Sequence, residues 1–179
     1  MKNNPTFKTV LTALFAALIC VATMLVQIPI PATGGYANLG DSVILMCAFL
    51  MNPLHAVIAA GLGSMLADLL AGYMSYAPGT LIIKAGVALI AAAIFNRTGR
   101  NTSAHKALAC MVISAAIAEA FMVLGYFFYE AVCLGIGSGA SAAILGNVGQ
   151  GVVSTVIACV VTPALSRSPE VRELMGKTR

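Results

Sequence analysis

Apolar residues along this chain fall into six runs, separated by short stretches rich in Pro, Gly or charge. The first run, Thr9–Ile28, stops where Pro29 and Pro31 forbid a continued helix interior. The segment Pro29–Asn38, PIPATGGYAN, is the least regular stretch and is expected to be a loop. A short second run covers Leu39–Met51. Asn52-Pro53 then reads as a helix start, with Asn52 the N-cap and Pro53 at the first helical position. The third run is Leu54–Ala71, followed by an aromatic loop, Gly72–Gly79. The fourth, Thr80–Phe95, leads into a polar, basic stretch, Asn96–His105. The fifth is Lys106–Tyr129, and a Gly-rich connection, Glu130–Ser141, joins it to the sixth, Ala142–Leu165. The charged tail from Ser166 to Arg179 reads as a short surface helix.

Composition decides what solvent these runs face. The chain has 179 residues, 60% of them hydrophobic and 9% charged, against roughly 25% charged in soluble domains. A chain this short has too little interior to hide that much apolar surface. A spanning helix uses about 20 mostly apolar residues, so six helices leave short loops and one domain, residues 1–179. Lys2 and Lys8 precede the first run as they would in a signal peptide, but the run exceeds the usual apolar core of about 7–15 residues. It is read as a retained first helix.

Charge then sets the topology. The net charge is +4. Lys2, Lys8, Arg97, Arg100, Lys106, Arg167, Arg172, Lys177 and Arg179 all fall on one side of a six-helix path. The loops on the other side contain no Lys or Arg. Basic residues stay cytoplasmic, so both termini are inside. The expectation is an all-α, six-helix protein of the bacterial plasma membrane. Cys20, Cys47, Cys110, Cys133 and Cys159 form no Cys-x-x-Cys pair and read as packing residues, not as a disulfide set or metal site.

Ionisable groups inside a membrane carry a functional hypothesis by default. Lys84 lies about one turn into helix 4 from its outer end. Asp41 begins helix 2, Asp68 is near the outer end of helix 3, and Glu130 is at the outer end of helix 5. Glu119 lies about 10 residues deeper, which puts it near mid-membrane by its helical rise. Asn147 and Gln150 lie in the outer half of helix 6, and Tyr36, Tyr73 and Tyr76 in the outer loops. Polar groups thus gather in the outer half. That describes a cup open to the outside, since a channel needs polar lining along its whole length. The expected cavity is faced by Lys84, Glu119, Asn147 and Gln150, with Asp41 and Tyr36 near its mouth and Asp68 and Tyr76 beside it.

Structural readings stand next to these. Asp41 also fits a helix cap, Asp68 with Lys84 an ion pair, Glu130 a solvated interface group, and the tyrosines an aromatic belt. His55 and His105 read as surface residues, and the single Asn-Pro turn is set aside as a water-channel sign. Ala13, Ala16 and Ala17 form a small-residue stripe on helix 1 that lets another helix approach. The chain has no G-x-x-x-x-G-K-[ST], no H-E-x-x-H and no G-x-S-x-G. A cup without an engine needs an energising partner.

The residues Ala13-x-x-x-Ala17, GGYANLGDSVI at Gly34–Ile44, GLGSMLADLLAGY at Gly61–Tyr73 and YAPGTLIIKAG at Tyr76–Gly86 resemble a known family. The chain is similar to the substrate-binding S components of energy-coupling factor (ECF) vitamin transporters, in the riboflavin-type and hydroxymethylpyrimidine-type branch. The resemblance implies an S-component-like bundle that binds a vitamin or precursor near the outer face under a lid formed by the loop after helix 1. It also implies docking of the helix 1 small-residue face on a transmembrane coupling protein shared with two ATPases, and toppling to release the substrate inside. No cofactor, metal or nucleic acid is expected.

Carboxyls outnumber the one cation in the cup, which favours a small ring with amine or hydroxyl donors. Hydroxymethylpyrimidine, pyridoxine and thiamine-like compounds rank first, and riboflavin lacks a tryptophan to stack on. Two other classes stand as alternatives. An intramembrane enzyme would use Glu119, but His105 is too far away in depth to serve with it. A self-contained carrier would need polar groups reachable from both sides.

Overall fold

The computed structural model describes residues 5–100 and 102–169. Six helices carry the fold: α1 (Pro5–Leu25), α2 (Gly40–Leu50), α3 (Pro53–Ala71), α4 (Ala77–Thr98), α5 (Ala104–Phe128) and α6 (Ser141–Leu165). Five are long and apolar enough to cross a membrane, and α2 is shorter. Of the surface helix expected over Ser166–Arg179, residues 170–179 lie outside the described residues.

The six runs become six helices, with shifted ends. α1 begins at Pro5, where proline's fixed φ suits a first turn. Asn52 caps α3 as expected: its side chain accepts the His55 backbone N–H at 3.1 Å, with Pro53 in the first turn. Gly72 ends α3 in the left-handed conformation (φ 86°), which L side chains rarely adopt.

Two connections depart from the sequence reading. The stretch read as an irregular loop is an antiparallel hairpin, β1 (Gln27–Ile30) with β2 (Gly35–Asn38), in the register Gln27 opposite Asn38 and Ile30 opposite Gly35. Pro29 hid it, because proline demotes a run that otherwise reads as strand. Gly34 turns the chain at φ 69°. The stretch read as a Gly-rich connection begins with a π-helical turn, Tyr129–Cys133, and continues into a 3₁₀ turn, Gly137–Ala140. The wider π turn buries Glu130, which is 2% exposed rather than solvated.

α2 is the central helix and packs against α1, α3, α4 and α6. It is apolar and buried nearly all round, as a core helix must be. Its 11 residues rise only about 16 Å at 1.5 Å per residue, against a hydrocarbon core of about 30 Å. Its C-terminal carbonyls at Leu50 and Met51 accept from the Arg100 guanidinium, each at 3.4 Å. Its lower end therefore lies at the basic, cytoplasmic ends of α4 and α5. Its N-terminus, bearing Asp41, lies about halfway through the membrane. The space above it is the cup, and the β1–β2 hairpin covers it. Asp41 thus stands at the floor, not at the mouth where the sequence reading put it.

One backbone contact draws α1 and α3 close. A Cβ on Gly63 would lie 2.4 Å from the Ala16 carbonyl oxygen, so α1 and α3 touch backbone to backbone. Ala16 therefore packs inside the bundle, while Ala13 and Ala17 face outward. The expected three-alanine stripe is split between two faces: Ala13 and Ala17, four apart, share one, and Ala16 points about 100° away from its neighbour Ala17. The outward faces carry large apolar side chains such as Val10, Leu14, Leu18, Ile82, Ile113 and Val160, each more than 45% exposed, as lipid requires.

Candidate functional site

The cleft between the hairpin and the start of α2 is lined by Thr23, Ile30, Tyr36, Asn38, Ser64, Asp68, Tyr76, Thr80, Lys84, Tyr126, Glu130, Asn147 and Gln150. Its empty volume is about 420 Å³ counted out to its open mouth, and the enclosed part is narrow, of water-molecule dimensions. Each of the five long helices contributes to it, and α2 does not. Helical spacing explains how. Ser64 and Asp68 are one turn apart on α3, Thr80 and Lys84 one turn apart on α4, and Asn147 and Gln150 three apart on α6, so each pair shares a face.

The floor is a buried charged network. The Lys84 ammonium donates to both Asp41 carboxylate oxygens at 2.7 Å. Lys84 is 2% exposed and Asp41 0%. Gln150 Nε2 also donates to Asp41 Oδ2, while Gln150 Oε1 accepts the Asn38 backbone N–H at 2.6 Å. One amide thus ties α6 to both α2 and the hairpin. Asp41 sits in the first turn of α2, where the helix dipole favours an anion. The Lys84 ammonium also lies 5.3 Å from the centre of the Tyr126 ring, within cation–π range. The partner of Lys84 is therefore Asp41, not Asp68.

The hairpin is latched by tyrosines. Tyr36 on β2 donates its hydroxyl to Asp68 Oδ1 at 2.6 Å. Tyr76 donates to the Thr33 carbonyl at 2.8 Å and lies 3.1 Å from Glu130 Oε1. The rings of Tyr36, Tyr73, Tyr76 and Tyr129 follow one another along the rim at centroid spacings of 4.5, 6.5 and 6.3 Å. Burial, and then the Asp68 carboxyl, raise the Tyr36 phenol well above its ordinary value. Burial pushes Tyr76 up to about 12. Both remain hydrogen-bond donors throughout the physiological range.

The site residues read from the sequence separate in space. Lys84, Asn147, Gln150, Tyr36, Asp68 and Tyr76 line the cleft. Asp41 lies beneath it, bound to Lys84. Glu119 lies on α5 against Gly151, 5% exposed, outside the cleft lining. Neither of its oxygens has a hydrogen-bond partner among the described residues. His55 bonds back to its own cap residue Asn52, and His105 is exposed. The sequence reading missed Tyr126 and Thr80, whose hydroxyls are 3.0 Å apart. The available signal was spacing for Thr80, which precedes Lys84 by four residues, one helical turn. Among the described residues there is no His/Cys/Asp/Glu cluster able to hold a metal ion.

Several acceptors in the cleft are left for something else. Glu130 Oε2 and the Ser64 and Thr23 hydroxyls are buried without a partner among the described residues. The Asn147 amide lines the cleft, and no hydrogen bond among the described residues uses it. Buried polar groups are normally satisfied, so this arrangement fits a donor-bearing guest.

Comparison with known proteins agrees with this architecture. The ECF-type riboflavin transporter S component family matches residues 3–167, and the chain belongs to it. A thiamine precursor transporter, HmpT of Lactococcus lactis subsp. cremoris, is 31% identical over 94% of this chain and 93% of its own length. An uncharacterized protein of Pyrococcus woesei is 39% identical over 78% of this chain and 88% of its own. The solved S component of a bacterial ECF transporter superposes with a TM-score of 0.69, covering 92% of this chain and 98% of that one at 17% identity; that likeness concerns the fold. The chain is thus an ECF transporter S component and a multi-pass membrane protein of the plasma membrane.

Proposed function

We propose that this S component captures a small, donor-bearing aromatic vitamin precursor of the hydroxymethylpyrimidine type in the cleft under the β1–β2 hairpin. The observation that carries this reading is the acceptor-rich lining. Asp68 takes the Tyr36 hydroxyl, and Glu130, Ser64 and Asn147 remain for ring amino and hydroxymethyl donors. The 31% identical relative transports a thiamine precursor, which agrees with this choice. Pyridoxine and thiamine carry similar donors and stand next. Riboflavin, the vitamin of the family's name, ranks lower because the chain has no tryptophan for its larger ring system to stack on.

In this reading Tyr36, Asp68, Tyr76, Asn147 and Glu130 contact the ligand, and Gln150 and Asp41 shape the floor. The chain performs no chemistry on its cargo. Uptake is driven by a transmembrane coupling protein and two ATPase subunits, with Ala13 and Ala17 on the outward face of α1 in the docking surface. Mass spectrometry of small molecules co-purified with the protein, followed by calorimetric titration, tests the assignment. The expected result is an aminopyrimidine bound more tightly than pyridoxine and riboflavin. Tight riboflavin binding with no aminopyrimidine binding overturns it.

A further inference from the structure

The cleft lining contains one cation, Lys84, and its charge is already matched by a buried carboxylate. An ammonium has three N–H donors. Two of those on Lys84 are directed at Asp41 Oδ1 and Oδ2, both at 2.7 Å. The Tyr126 ring, 5.3 Å from Nζ, occupies a further side. Asp41 is in turn held from three directions: by Lys84, by the Gln150 amide and by the first turn of α2. Gln150 cannot rotate without also releasing the Asn38 backbone N–H. The remaining charged groups of the lining, Asp68 and Glu130, are both acids. With the pair internally neutral, the cleft presents no free cation, only neutral hydroxyl and amide groups and the two acids.

We propose that Asp41 is the residue that sets the charge selectivity of this cleft: by holding Lys84 as an internal ion pair, it keeps the site for neutral or cationic rings and closes it to their phosphorylated forms. The inference rests on the cleft being the ligand site, and it deepens that reading by giving Asp41 a positioning role beneath the ligand. Phosphate is recognised by cationic donors such as Lys and Arg, and discrimination comes as much from withheld or repulsive contacts as from attractive ones. Without Asp41 the same Lys84 would face the cleft as an unpaired cation, a ready phosphate contact.

The test has two arms, both on the full-length protein in lipid nanodiscs. The first needs no ligand. Breaking a buried ion pair at one partner is strongly destabilising, whereas removing both partners is often nearly neutral. Melting temperatures are measured for Asp41→Asn, Lys84→Met and the double variant. The double variant should recover much of the stability that each single variant loses. Additive losses would overturn the proposal, because Lys84 would then be held by something other than Asp41.

The second arm titrates 4-amino-5-hydroxymethyl-2-methylpyrimidine and its monophosphate. The unmodified protein should prefer the free pyrimidine. Asp41→Asn should shift the ratio of the two affinities toward the monophosphate by about tenfold or more, and the added Lys84→Met change should abolish that shift. An unchanged ratio in a folded Asp41→Asn variant overturns the proposal. If Asp41→Asn does not fold, the unmodified protein decides: equal or tighter binding of the monophosphate overturns it. If neither pyrimidine binds while the stability arm holds, the pyrimidine assignment is what failed. The same ratio is then measured with riboflavin and its 5′-phosphate, and a preference for the phosphate again overturns the proposal.

Discussion

Tyr36→Phe isolates the latch that joins the hairpin to the helical bundle. The substitution removes one oxygen and leaves the ring, so the contact with Tyr73 at 4.5 Å between centroids remains. What is lost is the 2.6 Å hydrogen bond to Asp68, a carboxyl only 3% exposed on α3. A hydrogen bond to a charged group contributes about 1.5–3 kcal/mol. At about 1.4 kcal/mol per tenfold, the closed hairpin should weaken by about 10- to 150-fold relative to the open one. The Thr33 carbonyl on Tyr76 and the Asn38 N–H on Gln150 still hold the hairpin, so closure persists and the effect should fall on escape. The dissociation rate of pre-loaded radiolabelled ligand, chased with excess unlabelled compound, should rise by up to that same factor, about 10- to 150-fold, with the association rate little changed. Tyr129→Phe serves as control, because that hydroxyl bonds to Ser75, away from the hairpin. A dissociation rate within about twofold of the unmodified protein, in a variant that folds normally, would refute the latch.

Ala16→Leu should lower the melting temperature and reduce binding and uptake together, because Ala16 meets the α3 backbone at Gly63. Ala13→Leu and Ala17→Leu, on the outward face, should leave ligand binding intact and lower only coupled uptake in cells, so a loss of binding there counts against the docking role. In a chain cleared of native cysteines, one placed at the exposed hairpin residue Ala32 should react with an impermeant maleimide from outside, and one at exposed Ser103 should not; the opposite labelling inverts the topology. Glu119→Gln removes a carboxyl buried without a hydrogen-bond partner among the described residues, and should raise the melting temperature by about 2–4 °C. A lower melting temperature would mean that Glu119 has a stabilising partner.

The helix count, the helix ends at Asn52 and Gly72 and the membrane orientation were all legible in the sequence. Each depends on local chemistry: runs too apolar for water, caps that satisfy nearby backbone groups, and basic residues kept on one side. The gathering of polar groups in the outer half was also legible, because helical rise converts residue number into depth. Depth does not convert into partners. Residue spacing places Lys84 and Asp68 at similar levels, but α2 passes through the centre of the bundle and brings Asp41 to Lys84 instead.

Tertiary structure alone decided the hairpin, the inward turn of Glu130 and the split of the alanine stripe. QIPI and GYAN have too little strand signal by themselves, and they pair because the top of a short α2 leaves a space that Tyr36, Thr33 and Asn38 can bridge to three different helices. Glu130 turns inward at the π-helical turn, which brings its Oε1 to 3.1 Å from the Tyr76 hydroxyl. Ala16 separates from Ala13 and Ala17 because Gly63 leaves room for the α1 backbone. In each case the deciding contact joins residues more than 30 positions apart in the chain, and no local pattern encodes which distant surface will be the one to meet.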